Sequence, residues 1–316
     1  KFHRVPEYLE SLLTGRREKV VEVDDEAGSQ SAIHEHLLTG RGSEPKETAF
    51  VSIMQGCNQH CTFCIVPFTR GEERSRTIPD IVSECRQLVA SGVREITLLG
   101  QIVTSFGRRE YPAKDGRGGF VQLLDAVHEI DGLERIRFTS PHPKGYGDDL
   151  VEAYRRLPKL VENAHLPVQS GSNRILKAMH RGYTRERYLE LVAKLRGVNP
   201  GMGISTDIIV GFPGETEEDF EETASLCRSA QYDMAFLFKY SPRKDTPAAA
   251  LPEQISEDVI EERHRRLLDE LNAIGRARYE TFVGRTVEIL VEGPSRKNPT
   301  RYEGRTRCNK IVVFPG

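Results

Sequence analysis

The chain has 316 residues, 45 basic and 47 acidic, and 38% hydrophobic residues. That length fits roughly two domains of about 150 residues, and the apolar content excludes a disordered or fibrous protein. A net charge of −2 decides little about nucleic acid, because local clusters matter more than the sum.

Residues 1–48 read as a linker or a remnant. A short helical stretch at 6–13 is followed by acidic Val23-Asp24-Asp25-Glu26 and then Gly40-Arg41-Gly42-Ser43-Glu44-Pro45. Little apolar material is present to bury. The mixed, charged start is no signal peptide, and no apolar run approaches the ~18 residues of a membrane span. A cytosolic setting follows as the expectation, in which cysteine means metal or catalysis more often than disulfide.

From residue 49 a rhythm begins. Short β-rich runs at 50–54, 95–99, 135–139, 164–168, 204–210 and 234–240 alternate with amphipathic helical patterns at 80–91, 120–130, 149–156, 185–196 and 217–230. Pro79 suits a first helical turn, and Gly92 and Gly197 mark helix stops. Such alternation predicts a parallel sheet with right-handed crossovers. A complete barrel of this kind needs eight units and about 250 residues. The span 49–245 holds six, so the predicted α/β fold is an open, six-stranded partial (βα)6 barrel. Residues 256–280 read as a long charged helix that completes a unit over 49–280. Alternation at 286–291, 301–306 and 311–314 predicts a small antiparallel β unit within 281–316. Three strands alone are barely stable.

Active sites of parallel barrels lie at the C-terminal strand ends. The first strand leads into Gln55-Gly56-Cys57-Asn58-Gln59-His60-Cys61-Thr62-Phe63-Cys64. The second leads into Gly100-Gln101, the third into Ser140-Pro141-His142-Pro143, and the fourth into Gln169-Ser170-Gly171-Ser172. The fifth gives Gly211-Phe212-Pro213-Gly214-Glu215 and the sixth Ser241-Pro242-Arg243. Every strand ends in polar or glycine-rich sequence.

Cys57, Cys61 and Cys64 form a C-x3-C-x2-C triplet. Thiolates that close together repel unless a metal neutralises them. Three of them can hold three irons of a 4Fe-4S cluster and leave the fourth iron open to a small molecule. A Cys3His zinc site with His60 and three unrelated buried cysteines are the competing readings. Cys85 and Cys227 sit in helical patterns as small buried hydrophobes, and Cys308 stands in the β unit as an incidental residue. His142 and His165 stand at strand ends, where each either lines the pocket or serves the structure.

A C-x3-C-x2-C triplet after the first strand of a partial barrel resembles the radical S-adenosylmethionine superfamily. Cys64-Ile65-Val66-Pro67, Arg70-Gly71, Arg74-Ser75-Arg76, His165-Leu166-Pro167-Val168-Gln169-Ser170-Gly171-Ser172, Met179-His180-Arg181 and Thr206-Asp207-Ile208-Ile209-Val210-Gly211-Phe212-Pro213-Gly214-Glu215 resemble its methylthiotransferases. Tyr240-Ser241-Pro242-Arg243 and Gly304-Arg305-Thr306-Arg307-Cys308-Asn309-Lys310 are most similar to the tRNA-modifying branch. The resemblance covers residues 46–316.

It implies a 4Fe-4S cluster on Cys57, Cys61 and Cys64 that binds S-adenosylmethionine. The radical released from it would take hydrogen from C2 of an N6-isopentenyladenosine beside the anticodon, where a methylthio group is then inserted. Gln101 would face the amino group of S-adenosylmethionine, Gln169 and Ser170 its ribose or carboxylate, and Arg181 its carboxylate. The strand through Asp207 to Gly211 would back the adenine. The bland alternatives are turn bonding for Gln169 and Ser170, a surface ion pair for Arg181 and a tight turn at Gly211.

The tail from Phe282 onward holds seven basic and three acidic residues. It resembles a TRAM-type RNA-binding β unit, with Arg296, Lys297, Arg305, Arg307 and Lys310 expected on phosphate. Partners implied are a tRNA anticodon stem-loop and an electron donor such as flavodoxin or ferredoxin, with a monomeric enzyme. The family opens with a further domain whose three cysteines hold a second 4Fe-4S cluster. Residues 1–48 carry no cysteine and read as the exit from such a domain. Gln101-Ile102-Val103-Thr104-Ser105 also departs from the family, which has Asn at the second and fourth of these positions. Relatives in function are methylthiotransferases of threonylcarbamoyl-adenosine or of a ribosomal protein. From another class, an RNA-binding module without turnover fits the tail.

Overall fold

The computed structural model describes residues 5–16, 19–20 and 47–316. Residues 1–45 and 46–316 form two compact units. The first contributes α1 (Val5–Leu13), where the helical stretch is expected. The acidic and glycine-rich parts of that segment lie outside the described residues.

The second unit begins with β1 (Thr48–Ser52), then a hairpin of β2 (Met54–Gln55) and β3 (Arg74–Ser75) around the short α2 (Val66–Arg70). Alternation follows: α3 (Ile78–Ala90), β4 (Glu95–Leu99), α4 (Gly119–His128), β5 (Arg135–Phe138), α5 (Asp148–Arg156) and β6 (Asn163–His165). Then come α6 (Asn173–Ala178), α7 (Arg185–Val198), β7 (Gly203–Val210), α8 (Glu217–Ala230), β8 (Met234–Lys239) and α9 (Glu257–Glu280).

Strands β1, β4 and β5 pair in parallel, as do β6, β7 and β8. A single parallel bridge, Ile136 to Leu160, joins the two sheets. Six strands in chain order make the open partial barrel, with β1 and β8 as its edges. Val51, Ile96, Leu98, Ile136, Ile204 and Ile208 point outward and are fully buried beneath the helices. Local signals place those helices. Thr77 caps α3 by accepting the N–H of Asp80, and Thr216 and Asp219 form a capping box on α8.

Two boundaries differ from the sequence reading. Gly197 does not stop α7, which runs through it to Val198 and is capped at Asn199. Packing of Leu191, Val192 and Leu195 outweighs the ~1 kcal/mol that a helical glycine costs. The fourth strand ends at His165 because Pro167 has no N–H for the ladder. Pairing resumes for one residue, Gln169 beside Ile208.

After α9 the chain forms an antiparallel sheet of β9 (Ile289–Pro294), β10 (Arg301–Thr306) and β11 (Ile311–Pro315). It docks under the N-terminal ends of the barrel strands, opposite the cysteines. Glu95, Arg135 and Arg137 line the barrel there and are buried. Arg137 grips Glu95 through Nε at 2.9 Å and Nη2 at 3.2 Å. Arg135 donates to the Arg305 carbonyl at 2.9 Å and to Glu288 at 2.7 Å. From the other side, Arg307 donates to Glu162 at 2.7 and 2.9 Å, and Lys310 to Asp233 at 2.6 Å.

This corrects the expectation for the basic tail. Arg307 and Lys310 are docking anchors, because their charges are already matched by barrel carboxylates. Arg305 is paired with Glu292 at 2.8 Å. Arg296 and Lys297 remain exposed.

Candidate active site

The loop from Gly56 to Glu73 carries the cysteines and is closed by the β2–β3 hairpin. The Cys57 N–H donates to the Gly71 carbonyl at 3.1 Å, and the Glu73 N–H to Asn58 Oδ1 at 3.1 Å. Gly56 has φ +77°, and a Cβ there would stand 1.9 Å from the Glu72 oxygen, so only glycine lets the two arms close. A second anchor ties the loop to the end of α6. Thr62 donates its hydroxyl to the Ala178 carbonyl at 2.9 Å and its N–H to that of Met179 at 3.3 Å.

A cleft of about 230 Å³ opens beside this loop at the C-terminal strand ends. Cys57, Cys61 and Cys64 line it together with Gln101, Ser140, His142, His165, Gln169, Arg181 and Asp207. Burial pushes the Cys57 thiol above its ordinary value, and Cys61 and Cys64 add to the rise. Cys64 is raised by burial and by Cys61, with Arg181 opposing. A bound metal inverts this balance, since its charge favours the thiolates.

Arg181 is no surface ion pair. It is 6% exposed, with Nη1 3.4 Å from the Cys61 sulfur, Nη2 donating to the Pro167 carbonyl at 2.9 Å and Nε to the Tyr183 hydroxyl at 3.1 Å. These bonds fix a cation against the cysteine loop. His142 accepts the Lys144 N–H at Nδ1, 3.2 Å away, so its neutral ring carries the proton on Nε2. Burial, reinforced by Arg181, Lys144 and Arg108, pushes its pKa down to about 3.

Backbone strain gathers here. Ser140 (φ 55°) and Gln169 (φ 72°) line the cleft in the left-handed region, and His180 (φ 60°) precedes Arg181. Gln169 is locked by its N–H to the Asp207 carbonyl at 2.8 Å and by the Ile209 N–H to its own carbonyl at 2.9 Å.

Two expected site residues lie elsewhere. Ser170 is fully buried, its hydroxyl 3.3 Å from that of Thr223 and accepting the Ser172 N–H at 3.2 Å. It pins the loop to α8. Gly211, at φ +76°, packs on α9, where a Cβ would meet Ile260 at 2.4 Å. Glu215 accepts the Gly211 N–H at 2.8 Å and pairs with Arg263 at 2.9 Å. Both residues build the scaffold outside the cleft. Ser205 escaped the sequence reading, although its spacing of two from Asp207 places it on the same strand face. Cys85 and Cys227 are fully buried, and burial pushes both thiols up to about 12.

The donor set fits a cluster and S-adenosylmethionine. Among the described residues no three Cys, His, Asp or Glu converge on a point, as a single tetrahedral ion requires, and His60 is exposed. A cube carries its irons at separate corners and takes thiolates spread around it. Gln101 adds a sign of its own, since its Oε1 is buried without a partner while the residue lines the cleft. An orphaned acceptor there suits an ammonium group.

Residues 51–227 match the Radical SAM superfamily model. The tRNA-2-methylthio-N(6)-dimethylallyladenosine synthase of Opitutus terrae is 54% identical over 99% of this chain and 70% of its own length. That of Methylacidiphilum infernorum is 51% identical over 100% of this chain and 67% of its own length. Among solved structures, a radical S-adenosylmethionine methyltransferase from Kitasatospora setae has a TM-score of 0.53 at 16% identity, covering 65% of this chain and 39% of its own. Coproporphyrinogen III oxidase of Escherichia coli gives 0.53 at 13% identity, covering 90% and 74%. At such identities the likeness is one of fold. The chain belongs to the radical SAM superfamily, and within it to the family of these tRNA-2-methylthio-N(6)-dimethylallyladenosine synthases.

Proposed function

We propose that the chain catalyses methylthiolation of a tRNA adenosine that carries an N6-dimethylallyl group beside the anticodon. The observation that carries this reading is the shared cleft of the three loop cysteines, the orphaned Gln101 acceptor and the fixed Arg181 cation. Cys57, Cys61 and Cys64 would hold the 4Fe-4S cluster, and Gln101 would accept from the amino group of S-adenosylmethionine. Together these two groups, when bound, supply a carbon-centred radical able to take hydrogen from an unreactive C–H bond.

The chain's own residues position and shield that chemistry. Arg181 sets a positive charge beside the Cys61 sulfur and so favours the thiolate. His142 stays neutral and adds an Nε2–H donor without a further charge. Gln169 and Asp207 extend the polar wall, their backbones locked together. Exposed Arg296 and Lys297 are the cations of the tail left for RNA phosphate. The reductant in this reading is a small electron carrier of the flavodoxin or ferredoxin type, and the second cluster belongs to sequence that this chain does not contain.

The test is reconstitution with iron and sulfide. The chain should take up a 4Fe-4S complement of iron and cleave S-adenosylmethionine under dithionite. Mass spectrometry of a prenylated anticodon stem-loop then looks for the methylthio product. A chain that neither binds iron nor cleaves S-adenosylmethionine sinks the proposal.

A further inference from the structure

Along β8, Met234, Phe236 and Phe238 share one face and Ala235 and Leu237 the other. Ala235 and Leu237 pack against the core, so the aromatic face looks into the barrel. Phe236 confirms this direction. Its ring meets His165 edge-on at 6.2 Å between centroids, and it stands opposite Asp207 in the β7–β8 register. His165 and Asp207 both line the cysteine cleft, whereas Phe236 and Phe238 stand just outside it.

These two rings are anomalous. Phe236 is 47% and Phe238 50% exposed, whereas Phe106, Phe120, Phe138, Phe212 and Phe220 are at most 4% exposed. Exposed aromatic rings on an inward face are a platform without a load. Polar groups beside them are already held in place. His165 Nδ1 lies 3.0 Å from Ser205 Oγ, and its Nε2 lies 3.4 Å from Asp207 Oδ2. The other carboxylate oxygen of Asp207 has no hydrogen bond among the described residues.

We propose that this ledge seats the target base of the RNA, with Phe236 as the stacking face and the free Asp207 oxygen accepting an exocyclic N–H. The assignment rests on the RNA substrate argued above and adds the subsite that reads it. An aromatic face beside a carboxylate acceptor is the chemistry that recognises an unstacked, amino-bearing base. Adenine also occurs in S-adenosylmethionine, but the ledge lies outside the cleft and is half open, as a base carried on a large ligand needs. Phe238, two residues further toward the strand's C-terminal end, offers an apolar contact for a substituent on the exocyclic nitrogen.

The test measures binding of two anticodon stem-loops, one with N6-dimethylallyladenosine and one with adenosine, to the reconstituted chain. Equilibrium dialysis of S-adenosylmethionine runs in parallel. Phe236→Ala should weaken the prenylated stem-loop by at least about ten-fold, Phe236→Tyr should restore it, and neither should change S-adenosylmethionine binding. Phe238→Ala should erase the preference for the prenylated RNA. Unchanged RNA affinity in both alanine variants, with wild-type binding intact, overturns the ledge alone. Loss of S-adenosylmethionine binding with RNA binding preserved assigns the platform to the cofactor and also overturns it. A wild-type chain that binds neither RNA sinks the substrate reading itself.

Discussion

Lys310 separates docking from RNA binding. Its Nζ lies 2.6 Å from Asp233 Oδ1, 4.4 Å from the centroid of Tyr279 and 4.8 Å from that of Phe282, and the residue is 4% exposed. In Lys310→Met the stem stays buried and the charge is lost. Removing one partner of a buried ion pair costs about 3–5 kcal/mol. Arg278 still reaches Asp233 at 3.3 and 3.4 Å, and the Ile204 N–H still bonds it at 3.0 Å. Those contacts hold the cost near the lower bound, while each lost cation–π contact adds back about 0.5–2 kcal/mol. A destabilisation of about 3 kcal/mol is therefore expected in urea unfolding. Limited proteolysis should release the β9–β11 sheet sooner. The salt dependence of RNA binding should not change. Arg296→Ala should do the reverse, leaving the urea midpoint in place and lowering the salt slope by about 0.7–0.9 for one lost phosphate contact. If Lys310→Met shifts the salt slope and leaves the midpoint alone, the docking assignment is wrong.

Three further outcomes follow from the cleft and its scaffold. Cys61→Ala should abolish cluster uptake while circular dichroism stays native, because the β2–β3 hairpin and the Thr62 bonds to α6 hold the loop without metal; full iron content would remove Cys61 from the ligand set. His142 should show the Nε2–H tautomer by nitrogen NMR and no titration between pH 5 and 8, and a midpoint near its usual ~6.5 would refute its burial. Its folded pKa is depressed, so the unfolded chain takes the proton first. The stability it confers is complete above pH ~6.5 and falls by about 1.4 kcal/mol per unit as pH drops toward 3. Gly211→Ala should cost about 1–3 kcal/mol through its positive φ and the contact with Ile260, yet leave S-adenosylmethionine affinity of the folded protein unchanged.

Much of the barrel is legible in local sequence because strand and helix periodicities are local properties. The cysteine loop is legible for the same reason, since its three ligands lie within eight residues. The tail misleads because its partners are distant. Arg307 finds Glu162 across 145 residues and Lys310 finds Asp233 across 77. A local charge count registers seven cations and cannot see the carboxylates that neutralise them. Ser170 misleads similarly, for Thr223 on α8 is what buries its hydroxyl. The open aromatic face of β8 is invisible in sequence, where Met234-Ala235-Phe236-Leu237-Phe238 reads as a strand covered on both sides.

The sheet docked beneath β4 and β5 has a kinetic consequence. Carbonyls of Arg305 and Arg307 cap the inward guanidiniums of Arg135 and Arg137, and the barrel is blind at that end. Traffic must then use the cysteine end and the seam between β1 and β8. A small molecule seated against the cysteines lies deeper than anything large enough to sit on the β8 ledge. Turnover therefore acquires an obligatory order, small ligand first and large ligand second on the way in, with the sequence reversed on the way out.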